Sequence, residues 1–215
     1  MTQTRATVCL TFDFDAVALW LGTFGNTSPS AISRGEFGAL VGLPRILDLL
    51  AARGVPATFF VPGATAELYP EQVRGIHAAG HELAAHGYRH ERHARLDEAA
   101  ERAVIARGAA TLEQVAGVRP VGFRSPNWEL GPHSIAILED LGFRYDSSMM
   151  ADDFRPYRPR AGDRIVDGQL VPGRASTLWE IPVAWELDDF AYFFFHPYPY
   201  SNGTRHPEEV ERLWA

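Results

Sequence analysis

Lysine is absent. All 20 basic residues of the 215 are arginines, set against 27 aspartates and glutamates, for a net charge of −7. Without lysine there is no Schiff-base amine and no phosphate-loop lysine. The arginines are scattered, and an acidic chain lacks the basic field that nucleic-acid binding needs, so no nucleic-acid partner is expected. Cysteine occurs once, at Cys9, which excludes intramolecular disulfides and cysteine-based zinc sites. Its place in an apolar run predicts a buried, inert thiol. No apolar stretch reaches the roughly 18 residues of a membrane span. The N-terminal MTQTRATVCLTF, cut short by Asp13, has no secretory apolar region. The expected compartment is therefore the cytoplasm, with no membrane partner.

What is present suits a globular chain. An apolar fraction of 46% is enough to build a core, and the length suits one domain over residues 1–215. ATVCLTFDF reads as a buried strand, and residues 21–36, rich in Gly, Ser, Thr and Asn, as a long loop. Leu43–Arg53 predicts a helix closed by Gly54, and ATFFVPG a strand stopped at Pro62–Gly63. Glu71–Ala79 and Asp97–Ala116 predict further helices, the second with Asp97 as N-cap and Gly117 at its end. ELAAH, VGFRSP, FRYDSS and TLWEIPVAW read as strands. Ser134–Leu141 and Pro207–Trp214 read as helices, and Arg155–Arg174 as loop or hairpin. Alternating strands and helices make an α/β fold with a parallel sheet, either a barrel or an open doubly wound sheet.

The chemistry gathers at predicted strand ends. Asp13 and Asp15 flank Phe14, so strand alternation points both carboxylates to one side. Burying two acids there is costly unless a metal or cation answers them. His86 and His90 in HGYRH are four apart; a helical turn after Gly87 would bring both imidazoles to one face, suited to gripping one metal. His77 and His81 share that spacing, but Gly80 intervenes, so they read as a surface and a loop histidine. His93 could be a third neighbour of His86 and His90, but reads better as the solvated face of the same turn. Arg124 follows a strand and could hold a carboxylate through its planar fork. Together these residues favour metal-assisted hydrolysis over a structural role for each.

The ordered set TFDFD, HGYRH and FRSPNW, with ATFFVPG, GHEL and LGFRYDSS, resembles the polysaccharide deacetylase family over about Cys9 to Trp185. The resemblance implies a distorted (β/α) barrel, here lacking its last strand and helix, with the C-terminal end cut short. It implies a metal-dependent hydrolase of non-peptide carbon–nitrogen bonds. By the same resemblance Asp13 matches the catalytic base, Asp15, His86 and His90 the metal ligands, and Arg124 the arginine that holds the base. The D-x-D spelling is similar to an intracellular branch that includes allantoinase-like and cyclic-imide hydrolases and peptidoglycan deacetylase-like proteins. Trp185 with Asp188 and Asp189 resembles that branch's motif after the sixth strand, with Asp189 near the arginine. The family's late histidine, its general acid, has no clear counterpart; only His196 and His206 come late enough.

The implied cofactor is one divalent ion: zinc, with cobalt, nickel and manganese as alternatives. The implied substrate is a sugar amide or a small-molecule amide. The alternatives are a cyclic-imide or allantoin ring opener and a catalytically degenerate metal-binding relative. Trp20, Phe24, Trp128, Trp185 and the 190–200 aromatic cluster could line a substrate pocket, fill the core, or join subunits of a homo-oligomer. Of these, Trp128 and Trp185 are the substrate-binding candidates, with Asp189.

Overall fold

The computed structural model describes residues 7–197 and 200–215, and for 196, 197 and 200–202 the backbone alone. In chain order its first half holds β1 (Thr11–Asp13), α1 (Pro29–Phe37), α2 (Leu43–Arg53), β2 (Thr58–Val61), α3 (Gly63–Leu68), α4 (Pro70–Ala78) and β3 (Glu82–Ala85). Then come α5 (Glu98–Ala116), β4 (Gly122–Phe123), α6 (Ser134–Asp140) and β5 (Tyr145–Asp146). β6 (Arg160–Ala161), β7 (Arg164–Val166), β8 (Gln169–Val171) and β9 (Arg174–Ala175) precede β10 (Trp179–Glu180). The chain closes with α7 (Phe190–Phe193), β11 (Phe195–Pro197), β12 (Tyr200–Asn202) and α8 (Pro207–Trp214).

Six strands form one parallel sheet in the order β1-β2-β3-β4-β5-β10. Among the described residues β1 and β10 are not paired to each other, so the sheet is an open barrel, as expected. The 155–174 region is hairpin: β6 pairs with β9, and β7 with β8 inside them.

Alternation along the strands decides which side chains reach the site. Phe14, Phe59, Val61, Leu83, Ala85 and Phe123 join the buried apolar core with residues of α4, α5 and α6, and Phe12 packs against it. The residues between them, Thr11, Asp13, Asp15, Phe60 and Arg124, turn the other way. The helices are delimited by local chemistry. Asp97 caps α5, its carboxylate accepting from the Ala100 N–H at 2.8 Å, and Gly117 ends it at φ 73°.

Three expectations need correction. Residues 21–36 are not one loop: a π-helical turn spans Leu19–Thr23, and α1 starts where the Ser28 hydroxyl accepts from the Ala31 N–H. Ser-Pro is a helix start, an N-cap followed by a proline that needs no donor. Cys9 is exposed, because β1 is an edge strand whose regular part begins only at Thr11; Val8 beside it is 86% exposed. His93 is buried rather than solvated, while His81 lies in a loop, as expected, and is buried there. The His93 ring packs on Phe123 with Nδ1 3.4 Å from Glu101, and His81 Nδ1 accepts from the Ala57 N–H. His77 is exposed, as expected.

Candidate active site

At the C-terminal ends of β1, β3 and β4 the structure brings together Asp13, Asp15, His86, His90 and Arg124. His86 Nε2 is 3.5 Å from Asp15 Oδ1 and 3.7 Å from Asp13 Oδ2. His90 Nε2 is 3.2 Å from Asp15 Oδ2. One donor atom each from Asp15, His86 and His90 falls within 4.8 Å of the others, while Asp13 stands just outside that triangle.

Each imidazole is oriented from behind. His86 Nδ1 meets the Arg124 carbonyl at 2.7 Å; a carbonyl only accepts, so Nδ1 carries the proton and Nε2 keeps its lone pair for the site. The Thr23 hydroxyl lies 2.6 Å from His90 Nδ1 and 3.3 Å from the His90 carbonyl. Donating to that carbonyl, it accepts from Nδ1–H, and His90 Nε2 faces inward toward Asp15 Oδ2.

His86 Nε2 and Asp15 Oδ1 are buried without a hydrogen-bond partner. Orphaned polar atoms converging on one point from N and O donors fit a divalent cation. Electrostatics agree with that. Burial pushes the His86 pKa down despite two nearby aspartates. Burial would also raise Asp15, but His90, His86 and Arg124 hold it below the usual carboxylate range. His90 is raised: burial opposes its charge, and Asp15 prevails.

Arg124 is almost fully buried and spends its fork on three partners. Nη1 donates to Asp13 Oδ1 at 2.7 Å, Nε to the Ser147 carbonyl at 2.9 Å, and Nη2 to Ser147 Oγ at 2.9 Å and Thr11 Oγ1 at 3.2 Å. Its guanidinium lies 4.1 Å over the Phe60 ring. Asp13 is thereby fixed through one oxygen, with Oδ2 turned toward His86.

The backbone here is strained. Among the described residues five non-glycines have positive φ, and four flank the site: Ala16, His90, Asn127 and Trp128. Such conformations persist only where packing enforces them. HGYRH is therefore not the helical turn its spacing suggests. It is a loop reversed at Gly87 (φ 67°) and His90 (φ 63°), which sets the two rings 4.9 Å apart at 72°. Gly22 seats the 19–23 turn on that loop; a Cβ there would lie 1.7 Å from the Arg89 carbonyl oxygen.

Around the rim, Trp128 and Trp185 stack with centroids 4.4 Å apart, and the Arg124 guanidinium lies 5.7 Å from the Trp128 ring. Asp189 starts α7. It makes no hydrogen bond to Arg124 among the described residues, because Ser147, Thr11 and Asp13 occupy the fork. Burial and the Asp13 charge raise its pKa. Asp188 beside it is pushed up to about 6, chiefly by burial. The His196 side chain lies outside the described residues, and His206 is exposed at the start of α8. Thr23, Thr11 and Ser147 are site residues that the sequence reading missed. The only signal for Ser147 was a strand running straight into Asp-Ser-Ser.

Comparison with known proteins identifies the family. Residues 2–145 match the family model described as polysaccharide deacetylase. A peptidoglycan deacetylase of Helicobacter pylori is 38% identical over 94% of this chain and 73% of its own length. The peptidoglycan deacetylase-like protein FGM2 of Gibberella zeae is 31% identical over 98% of this chain and 67% of its own. A Mycobacterium smegmatis protein described as a polysaccharide deacetylase superposes with a TM-score of 0.82 at 41% identity, over 96% of this chain and 68% of that one. Puue allantoinase superposes at a TM-score of 0.75 with 23% identity, over 96% of this chain and 68% of that one, which is a likeness of fold alone. The family match covers most of the chain and the two relatives nearly all of it; this chain belongs to the polysaccharide deacetylase family.

Proposed function

We propose that the protein hydrolyses the N-acyl amide of an amino sugar, releasing acetate and a free amine, with a divalent ion held by Asp15, His86 and His90. The observation that carries this is the pairing of two features. Orphaned donor atoms converge on one point, and beside it lies a carboxylate, Asp13, clamped by a buried arginine. The donors, two imidazoles and one carboxylate, suit zinc. Such an ion, when bound, supplies a water of lowered pKa and polarisation of the substrate carbonyl.

The remaining steps fall to the chain. Asp13 Oδ2, the oxygen that Arg124 leaves free, takes the water's proton, and Arg124 keeps the carboxylate ionised and aimed. A backbone N–H of the 125–128 turn meets the oxyanion as the carbonyl becomes tetrahedral. The proton on Asp13 then passes to the departing nitrogen, so that water and amide become acid and amine. Trp128 and Trp185 offer a flat apolar wall at the mouth, to which a sugar face packs.

The H. pylori relative, a peptidoglycan deacetylase, supports a wall-type amino sugar over a ring-opening substrate. The test is to load the protein with zinc and follow acetate release from N-acetylglucosamine oligomers, with allantoin and a cyclic imide assayed in parallel. Acetate release that is abolished by chelation is the expected result. Turnover of the cyclic amides alone would contradict it.

A further inference from the structure

A second pair of acids lies behind the site, and the mechanism above does not use it. Asp146 ends β5 and Glu180 ends β10, and the register sets them directly opposite each other. Register neighbours in a parallel sheet point to the same side, so the two carboxyl groups abut. Both are fully buried.

Their outer oxygens are engaged. Glu180 Oε1 accepts from the Ser148 and Met149 N–H groups, each at 2.9 Å. Asp146 Oδ1 accepts from the Ser148 hydroxyl at 2.8 Å. The inner oxygens, Asp146 Oδ2 and Glu180 Oε2, are buried without a hydrogen-bond partner. Two carboxylates cannot bond without a proton, nor can both stay charged in a dry site. One proton between them satisfies both orphaned atoms.

The segment they grip also holds Arg124. Asp146-Ser147-Ser148 presents the Ser147 carbonyl and hydroxyl to the Arg124 fork. It presents the Ser148 hydroxyl to the Ser125 N–H at 2.8 Å. We propose that Glu180 is a positioning residue, sharing one proton with Asp146 and thereby fixing the 146–149 turn, Arg124 and the base Asp13. The role in turnover rests on the deacetylase reading; the shared proton does not. Burial and the neighbouring Asp146 push Glu180 up to about 10, and burial raises Asp146 as well, so at neutral pH one proton stays with the pair. The charged and titratable groups around it are Asp146, Arg124 and Tyr157, whose backbone bridges to Glu180.

The arrangement makes an unusual demand. The outer atoms of both side chains must be acceptors, so the inner pair must be one donor and one acceptor. Glu180→Gln supplies an inner N–H, and Asp146→Asn does the same from the other side; each alone preserves the bond. The double exchange sets two N–H₂ groups face to face.

The experiment compares the parent, both single variants and the double variant in zinc-loaded form. Each single exchange is expected to lower kcat by no more than about fivefold. The double should fall at least about tenfold below the product of the singles, because paired groups are not additive. A second readout is independent of activity. Glu180 takes up a proton on folding between its unfolded value of about 4.3 and its raised native one, so the parent loses stability as pH rises through that window. The Glu180→Gln Tm should therefore gain on the parent from about pH 5 to about pH 9. A multiplicative double variant, or a Tm gap that does not change with pH, overturns the proposal. A parent that releases no acetate while the Tm gap widens refutes the deacetylase reading and the positioning role together, and leaves the proton pair standing.

Discussion

The same sheet carries two pairs of acids and treats them in opposite ways. Asp13 and Asp15 stand at the end of β1, faced by Arg124, His86 and His90. Asp146 and Glu180 stand across the β5–β10 register, faced by backbone N–H groups, a serine and each other. In the first pair cationic and metal-seeking neighbours favour charge, and Asp15 is held below its ordinary pKa. In the second nothing cationic touches either carboxyl, and both are raised. The first pair faces the site, Asp13 exposed and Asp15 half-buried, while the second is fully buried; exposure and neighbours together decide which pair keeps its charge for chemistry and which gives it up to become a structural bond.

The sharpest way to break this contrast is to remove one charge from the first pair. Asp13→Asn should lower kcat by about 10²- to 10⁴-fold, the range expected for loss of a general base. Metal content should stay at the parental level, since Asp13 stands outside the ligand triangle. Acetate-release kinetics alongside elemental analysis would show both. Loss of metal in this variant would mean that Asp13 is a ligand rather than the base.

A smaller effect should come from the residue behind His90. Thr23→Ala removes the hydroxyl that orients that ring, and such outer partners typically contribute about 10- to 100-fold in metal affinity. Competition with a chromophoric chelator would measure it. An unchanged affinity would show that the strained loop alone orients His90.

How much of this the sequence disclosed follows from the range of each interaction. The F-D-F-D alternation, the caps of α5 and the strand–helix succession are local patterns, and they gave the parallel sheet and placed Asp13, Asp15 and Arg124 correctly. His86 and His90 were identified by their spacing but assigned the wrong local geometry. An i, i+4 pair suggests a helix, whereas here positive φ at Gly87 and His90 does the work. Thr23 is 67 residues from its partner His90, and no local pattern reports such a contact. Exposure of Cys9 and burial of His93 depend on sheet order and on how α5 packs, neither of which is written in the neighbouring residues. The Asp146–Glu180 pair depends on register across 34 residues, and it stayed invisible for the same reason.

The mildest prediction adds a third kind of carboxylate to the comparison. Glu139 on α6 accepts from Arg174, Ser176 and Thr177, and Arg174 first among them holds its pKa down to about 2. Its carboxylate therefore binds fewer protons in the folded than in the unfolded chain. The stability it supplies is full above the unfolded value of about 4.3 and is lost as pH falls toward 2. Glu139→Gln should cost about 1–2 kcal/mol at neutral pH. That difference should shrink as denaturation is measured at successively lower pH below about 4.3. A pH-independent cost would assign the effect to packing rather than charge.

The central claim, that the first pair divides its labour between ligand and base, is tested most directly by zinc titration calorimetry on Asp15→Ala and Asp13→Asn beside the parent. The account predicts one tight site in the parent and in Asp13→Asn, and none in Asp15→Ala. Tight binding retained by Asp15→Ala, or lost equally by both variants, would contradict it.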